Sequence, residues 1–340
     1  MAKRVGLAVV GLGMGAAPHA QSLQDLEDVI DVRGVYARSE PARRAFAETY
    51  GFRAADDLDA LVGDPDVDGL LLITPPNVRA GIVSRFAEAG KHILCEKPLE
   101  RTVAVAEGIV RICEDADVRL GVVFQHRFRP ASEKLAALIV SGELGPIRLV
   151  RADIPWWRGQ DYYDEPGRGT YERDGGGVLM TQAIHMLDLM MSLIPPVTAV
   201  QALTATTALH TMEAEDVCAG AFEFEGGVGS LFASTASFPG GAESLTLECE
   251  QASVLLQSGV LTVSWRDGRC DRFGEEAVSG GGSDPMAFKY HRHKAVIADF
   301  ADAIAAGRPP RITGREALAA HRLIDALERS SREGLRVAME

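Results

Sequence analysis

Lys97 stands between Glu96 and Pro98, directly after the apolar run His92–Cys95. An amine fixed by a following proline at the carboxyl edge of a parallel sheet, where open α/β sheets bind ligands, can pass a proton to or from a reacting hydroxyl. Partial desolvation would lower its pKa toward that task. In isolation the residue reads equally as a surface lysine paired with Glu96, the commoner case. A second set of polar groups lies in residues 178–193, so rich in Leu, Ile and Met that a helix there must be buried nearly all round. Thr181, His185, Asp188 and Ser192 recur at intervals of four, three and four, so they share one helix face, with Gln182 alongside. Such a stripe is costly unless its members bond one another or line a cleft. A core histidine satisfied by Asp188 is the plain alternative for His185. Gly175, Gly176 and Gly177, just ahead, favour the cleft, because glycine lets the backbone lie close to a ligand.

Upstream of both segments, Val5–Val10 runs into Gly11-Leu12-Gly13-Met14-Gly15-Ala16. This fits the permissive form of a dinucleotide fingerprint: Gly11 for the tight turn, Gly13 for close approach of the pyrophosphate, Ala16 for helix-to-strand packing. The diphosphate would rest on the free N–H groups that open the following helix. An NAD site usually has a carboxylate at the end of the second strand, yet that end reads Tyr36-Ala37-Arg38-Ser39. Asp31 precedes the expected strand and belongs at the wrong edge. Arg38 and Ser39, with Arg43 or Arg44 assisting, suit a 2′-phosphate, so the expected preference is NADP over NAD. The alternative is that Arg38 only stacks on adenine and both cofactors bind.

The elements that must position these groups follow from apolar periodicity. Strands are expected near 5–10, 32–37, 69–73, 92–95 and 119–123, alternating with helices at 41–50, 77–89 and 102–116. That is a doubly wound α/β unit with a parallel sheet, residues 1–124. Residues 125–340 change rhythm: a helix at 130–140, a long strand at 147–156, a polar loop, the 178–193 helix, then strands at 217–224, 228–234, 245–249, 254–257 and 261–265. Strands in direct succession imply a mostly antiparallel sheet, hence α+β. Helices at 286–305 and 315–331 finish the chain, the last free to pack back on the first domain, after a mobile loop at 280–283. The loop 158–174 carries Tyr162, Tyr163, Asp164, Arg168, Tyr171 and Arg173, a mixture that suits a polyhydroxylated ligand or, equally, a solvated or subunit-contacting loop.

Composition narrows the partners. The 340 residues are 46% hydrophobic and 24% charged, ordinary for a globular chain of about two domains. A net charge of −13 argues against nucleic acid and acidic membrane surfaces. Five cysteines without C-x-x-C spacing indicate neither a disulfide framework nor a thiolate zinc site, and free thiols in a reducing cytoplasm are the simpler reading. Lys3-Arg4 and the short apolar run do not make a signal peptide, and no apolar segment reaches membrane-spanning length. His291 and His293 form no metal pattern, and no metal is expected.

Four segments together make the chain resemble the Gfo/Idh/MocA family (glucose-fructose oxidoreductase, inositol dehydrogenase, rhizopine catabolism). They are Gly11 through His19, Thr74-Pro75-Pro76-Asn77, Gly90 through Pro98, and Gly175 through His185. The resemblance implies an N-terminal Rossmann domain and a C-terminal domain with a large open sheet, used for assembly as a homodimer or homotetramer. It implies hydride transfer on sugars, polyols or related cyclic alcohols. Carried onto this chain, it adds Thr74, Pro75, Asn77 and Glu96 to Gly11, Leu12, Gly13, Met14, Ala37, Arg38, Ser39 and Lys97 as cofactor contacts. Lys97, His185 and Thr181 form the catalytic set, and Tyr163, Arg168 and Gln182 join them on the substrate. Members commonly have aspartate at position 181, so a carboxylate role is dropped or supplied from elsewhere. Arg79 replaces a frequent histidine, and nothing in the sequence assigns it a role. Two rival functions stay open: a non-catalytic dinucleotide-sensing regulator, and redox-assisted elimination or glycoside cleavage with a retained cofactor.

Overall fold

The computed structural model of the chain describes residues 4–276 and 290–339. It divides into two units, Met1–Gln125 with Lys289–Leu318, and His126–Phe288 with Ala319–Glu340. In the first, β1 (Val5–Val10) is buried at all six positions, as a strand covered on both faces must be. It is followed by a 3₁₀ turn (Met14–Ala16), α1 (Ala17–Gln24), β2 (Ile30–Tyr36), α2 (Glu40–Tyr50), α3 (Leu58–Val62), β3 (Gly69–Leu72), α4 (Arg79–Glu88), β4 (His92–Cys95), α5 (Val103–Asp115) and β5 (Leu120–Val122). Local chemistry sets the helix ends: Ser39, Asp57 and Thr102 accept the N–H of Ala42, Ala60 and Val105, and left-handed Gly51 closes α2. The strands form one parallel sheet in the order β2-β1-β3-β4-β5. Connections leave β1 in opposite directions to β2 and β3, so a crevice opens beyond their carboxyl ends. β2 begins earlier than the apolar pattern suggests, and Asp31 lies inside it, at its amino end, bonded to Arg33 at 2.9 Å.

The second unit carries α6 (Pro130–Val140), β6 (Ile147–Pro155), α7 (Gln160–Tyr163), a π-helical turn (Leu179–Ala183) running into α8 (Ile184–Leu193), then β7 (Val197–Ala205), β8 (Val217–Phe224), β9 (Gly227–Ser234), β10 (Ser244–Cys249), β11 (Ala252–Gln257), β12 (Val260–Trp265) and β13 (Cys270–Phe273). After α9 (His291–Ala306), which belongs to the first unit, and α10 (Gly314–Glu333), β14 (Val337–Ala338) completes the sheet edge. The sheet has nine strands in the order β13-β12-β11-β10-β6-β9-β8-β7-β14, antiparallel except where β6 pairs β9. Residues 280–283 and the first residues of the expected 286–305 helix lie outside the described residues.

One sheet face is core, with Val150, Ala152 and Ile154 of β6 fully buried. The opposite face keeps Leu149, Val228, Phe232, Leu203 and Leu255 exposed among Arg151, Glu248 and Glu223. All five cysteines are free, four of them buried. No helix among the described residues is long and apolar enough to cross a membrane.

Candidate active site

The glycine turn sits at the switch point of the parallel sheet. Gly11 has φ +101°, and a Cβ there would lie 2.6 Å from the backbone of Ile73 and Thr74, so the loops after β1 and β3 touch only because residue 11 is glycine. A Cβ at Gly13 would meet nothing within 4 Å, which leaves the approach to the helix opening clear. The Thr74 hydroxyl oxygen is buried with no hydrogen-bond partner. A close turn, an open cradle and an unanswered hydroxyl are what a dinucleotide would need, so the residues fit the group.

Arg79 explains the next step. Only 2% exposed, its Nε and Nη2 donate to the Thr74 carbonyl at 2.9 and 2.5 Å, while Nη1 makes short contacts to the carbonyls of Glu96 and Pro98. One guanidinium thus ties the Thr-Pro-Pro turn to the Glu-Lys-Pro turn, and the Lys97–Pro98 bond within the latter is cis. Pro75 and Asn77 beside it stay exposed.

Glu96 faces a cluster that the sequence did not reveal. Its Oε2 accepts the Lys97 N–H at 2.9 Å, and its Oε1 lies 2.8 Å from His19 Nε2 and 4.0 Å from His293 Nε2. The two imidazoles pack edge to face, centroids 4.8 Å apart. Burial alone would raise the Glu96 carboxyl, but the His19 hydrogen bond, the second imidazole and Lys97 hold it well below the usual carboxylate range. Burial, with His19 beside it, pushes His293 down to about 3, leaving that ring neutral. Two nitrogens and a carboxylate oxygen within 4.8 Å are also a donor set for a divalent cation. One pair is already joined by a hydrogen bond, however, and Lys97 and Arg79 bring positive charge to the same turn, so the cluster acts here as a clamp on Glu96. His19, just past the glycine turn, was the one legible signal. His293 is contributed by α9, far away in sequence.

At the end of β2, Arg38 is exposed, and Ser39 gives its side chain to the α2 cap. Arg43 is mostly buried, its guanidinium 5.3 Å from the Tyr36 ring centroid and bonded to the Ala37 carbonyl at 3.2 Å. No carboxylate from β2 stands at this edge, since Asp31 is at the other.

In the second unit the last glycine of the run packs tightly within the chain itself. A Cβ on Gly177 would sit 1.8 Å from the Glu215 carbonyl, so the close approach that requires glycine is to the chain leading into β8. The Glu215 carboxylate accepts the N–H of Gly177 and Leu179 at 3.0 and 2.9 Å, capping the start of the polar helix. Burial raises the Glu215 carboxyl against those bonds; burial and the nearby Glu215 push Glu328, on α10, up to about 8.

Thr181 and Gln182 lie in the π-helical turn, an irregularity frequent at functional sites. The Thr181 hydroxyl reaches the Gly177 carbonyl at 2.6 Å and makes a short contact with the Gln182 amide, whose other side meets the Tyr162 hydroxyl at 3.4 Å. Tyr162 has the guanidinium groups of Arg168 and Arg158 at 5.1 and 5.8 Å from its ring centroid. Tyr163, the tyrosine expected on substrate, is buried and bonded through its hydroxyl to Thr235 Oγ1 at 2.6 Å, and burial pushes its phenol pKa up. Tyr162, not its neighbour, is the one beside Gln182. Arg168 is also held by Glu165 at 3.3 Å.

His185 is buried and stacks on His126, centroids 5.0 Å apart. Asp188 is 1% exposed and clasped by Arg127 through bonds of 2.7 and 2.6 Å, which makes it a structural anchor of α8. Ser192 bonds back to the Leu189 carbonyl at 2.7 Å. The polar stripe is therefore divided: Asp188 and Ser192 are held by Arg127 and the Leu189 carbonyl, whereas Thr181 and Gln182 bond each other beside Tyr162 and His185 stacks on His126.

Fold and residues define a dinucleotide-binding Rossmann unit joined to an open-sheet unit with its own polar helix. Residues 5–124 match the family model described as "Oxidoreductase family, NAD-binding Rossmann fold", and residues 132–255 match the "GFO/IDH/MocA C-terminal domain". The chain belongs to the Gfo/Idh/MocA family. It is 30% identical over 187 residues to a myo-inositol 2-dehydrogenase of Thermotoga maritima, an alignment covering 54% of this chain and 53% of that protein, so the match spans about half the relative's length. Over 98% of both chains it is 24% identical to a D-xylose 1-dehydrogenase (NADP(+)) of Haloferax volcanii. Among solved structures, the WlbA dehydrogenase of Bordetella pertussis, in complex with NADH and UDP-GlcNAcA, superposes with a TM-score of 0.84 at 27% identity, covering 99% of each chain.

Proposed function

We propose that the chain is an NAD(P)-dependent oxidoreductase moving a hydride between nicotinamide and a secondary alcohol or hemiacetal carbon of a sugar, cyclic polyol or related compound. The observation that carries this reading is the Arg79 stitch, which holds the Glu-Lys-Pro turn against the loop that follows β3, at the switch point of a Rossmann sheet. The cofactor, when bound, supplies the hydride acceptor or donor. Lys97 accepts the hydroxyl proton during oxidation and returns it during reduction. Glu96, kept ionised by His19, fixes the Lys97 backbone and offers its remaining acceptor capacity to the cofactor ribose. Gly11, Leu12, Gly13 and Met14 receive the diphosphate, with Thr74, Pro75 and Asn77 alongside. His185 orients the substrate or relays the proton, and Thr181 and Gln182 exchange hydrogen bonds with its hydroxyls. Tyr162 and Arg168 cover the sugar, with Tyr163 behind them as support. The relatives named above, dehydrogenases of inositol and xylose and a structure holding a sugar nucleotide, favour a polyhydroxylated substrate.

Arg38 and Ser39, with Arg43 at their back, favour NADP; equal catalytic efficiencies with NAD and NADP would refute that preference. The half-apolar open face of the second sheet is the surface through which subunits pair. Testing the function means screening the purified protein with NADP and NAD against cyclic polyols, aldoses, sugar acids and anhydrosugars, following reduced nicotinamide by absorbance. Steady cofactor reduction supports it. Cofactor binding without reduction by any of these alcohols would point instead to a sensing role.

A further inference from the structure

His126 opens the second unit in the sequence Gln125-His126-Arg127-Phe128-Arg129 and is 4% exposed. Its ring stacks on that of His185 with centroids 5.0 Å apart and planes inclined by 26°. Its Nε2 makes a short contact with Arg129 Nη2, and the same guanidinium donates through Nη1 to Glu243 Oε1 at 2.7 Å. Glu243 is 5% exposed and Arg129 9%, so the chain His185, His126, Arg129, Glu243 is buried along its length. A guanidinium carries only donors. Nε2 of His126 must therefore accept, which places the ring proton on Nδ1 and leaves the ring uncharged; a proton on Nε2 would face an N–H of a permanent cation. Glu243 Oε1 is 3.6 Å from Nε2, too far to compete for that nitrogen, and it serves to balance Arg129. Two stacked imidazoles cannot both be cations cheaply, and here the geometry decides which one stays neutral.

We infer that His126, locked by Arg129 as the neutral Nδ1–H tautomer, is a positioning residue for His185: it fixes the plane of that ring and leaves His185 as the member of the pair that takes up a proton. The inference rests on the catalytic reading of His185, but its two halves are measurable apart from turnover. In full-length protein with ring-15N histidine, the His126 signals, assigned by their loss in His126→Phe, should show an unprotonated Nε2 and a protonated Nδ1, and Arg129→Met should abolish that fixed pattern. The His185 ring signals should stay sharp in His126→Phe, which keeps the stack, and broaden in His126→Ala, which removes it. In the kinetic arm, kcat should fall up to about tenfold in His126→Ala, the order a stacked aromatic pair contributes, with KM for the cofactor unchanged, and recover in His126→Phe. A wild-type His126 with both nitrogens protonated, or His185 signals identical in the Ala and Phe variants, overturns the inference. Absence of any dehydrogenase activity in the wild type would instead sink the functional reading, and the nitrogen spectra would still decide the tautomer and the stack.

Discussion

Asp188 offers the sharpest separation of scaffold from chemistry. It lies one turn beyond His185 on α8, and the same stripe could have made it a catalytic carboxylate. Its side chain is 1% exposed and that of Arg127 16%, with bonds of 2.7 and 2.6 Å. At an effective dielectric near 20, opposite charges about 4 Å apart attract by roughly 4 kcal/mol. Removing one member of a buried pair typically costs about 3–5 kcal/mol, because the other charge is left behind without it. Asp188→Ala should therefore lower the unfolding free energy by about 3–5 kcal/mol, and Asp188→Asn, which retains one acceptor, by roughly 2–3 kcal/mol. At roughly 2–4 °C per kcal/mol the alanine variant melts on the order of 6–20 °C early. Far-ultraviolet circular dichroism in urea and heat measures both. Replacing the pair together, Arg127→Met with Asp188→Leu, should cost less than the alanine variant alone, since no charge is stranded. Turnover of Asp188→Asn, assayed well below its melting point, should stay within a few-fold of wild type. A stability loss under about 0.5 kcal/mol, or lost turnover with stability intact, would refute the anchor and return Asp188 to the chemistry.

Three further outcomes follow from the same physics. Arg38→Ala should reduce the preference for NADP over NAD by about tenfold to a hundredfold, the worth of a charge-assisted hydrogen bond to phosphate, measured as the ratio of kcat/KM values; an unchanged ratio contradicts it. Arg79→Met removes the donor shared by two turns and should cost about 2–4 kcal/mol while weakening cofactor binding; retention of wild-type Kd and stability would show that the turns hold each other without it. Glu328 has its carboxyl raised from 4.5 to about 8, so the folded state binds its proton more tightly than the unfolded chain does. Its contribution is fully favourable below about 4.5 and is lost as pH climbs toward about 8. Glu328→Gln should therefore match wild type at the acid end of that window and exceed it in melting temperature at the alkaline end, and parallel curves would show that the carboxyl titrates normally.

The first unit was legible because most of its strands are apolar runs and several of its helices carry their own signals: Ser39 and Thr102 as caps, Gly51 as a stop. Gly11 and Gly13 could be read for the same reason, since a turn's needs are local. What stayed hidden depends on partners distant in sequence. Gly177 looked like a ligand contact because nothing in its neighbourhood announces Glu215, whose backbone it must approach. Arg79 looked like an unexplained substitution, because its acceptors are carbonyls, and carbonyls leave no mark in a sequence. Adjacent tyrosines 162 and 163 cannot be ranked by type, and only the Thr235 hydroxyl tells which of them is occupied by packing. His19 and His293 meet at Glu96 although one follows the first strand and the other belongs to α9. Asp31 was placed outside β2 because its charge interrupts the apolar run, yet Arg33 compensates that charge within the strand.

Lys97 as the proton-transferring amine is the centre of the proposed chemistry. The most direct test is a single-turnover measurement of nicotinamide reduction by Lys97→Met, run beside a fluorescence titration of the same protein with cofactor. Cofactor should bind within a few-fold of wild type and hydride transfer should slow by about a thousandfold, within the range that a positioned acid or base contributes. Hydride transfer at the wild-type rate in that variant would contradict that role.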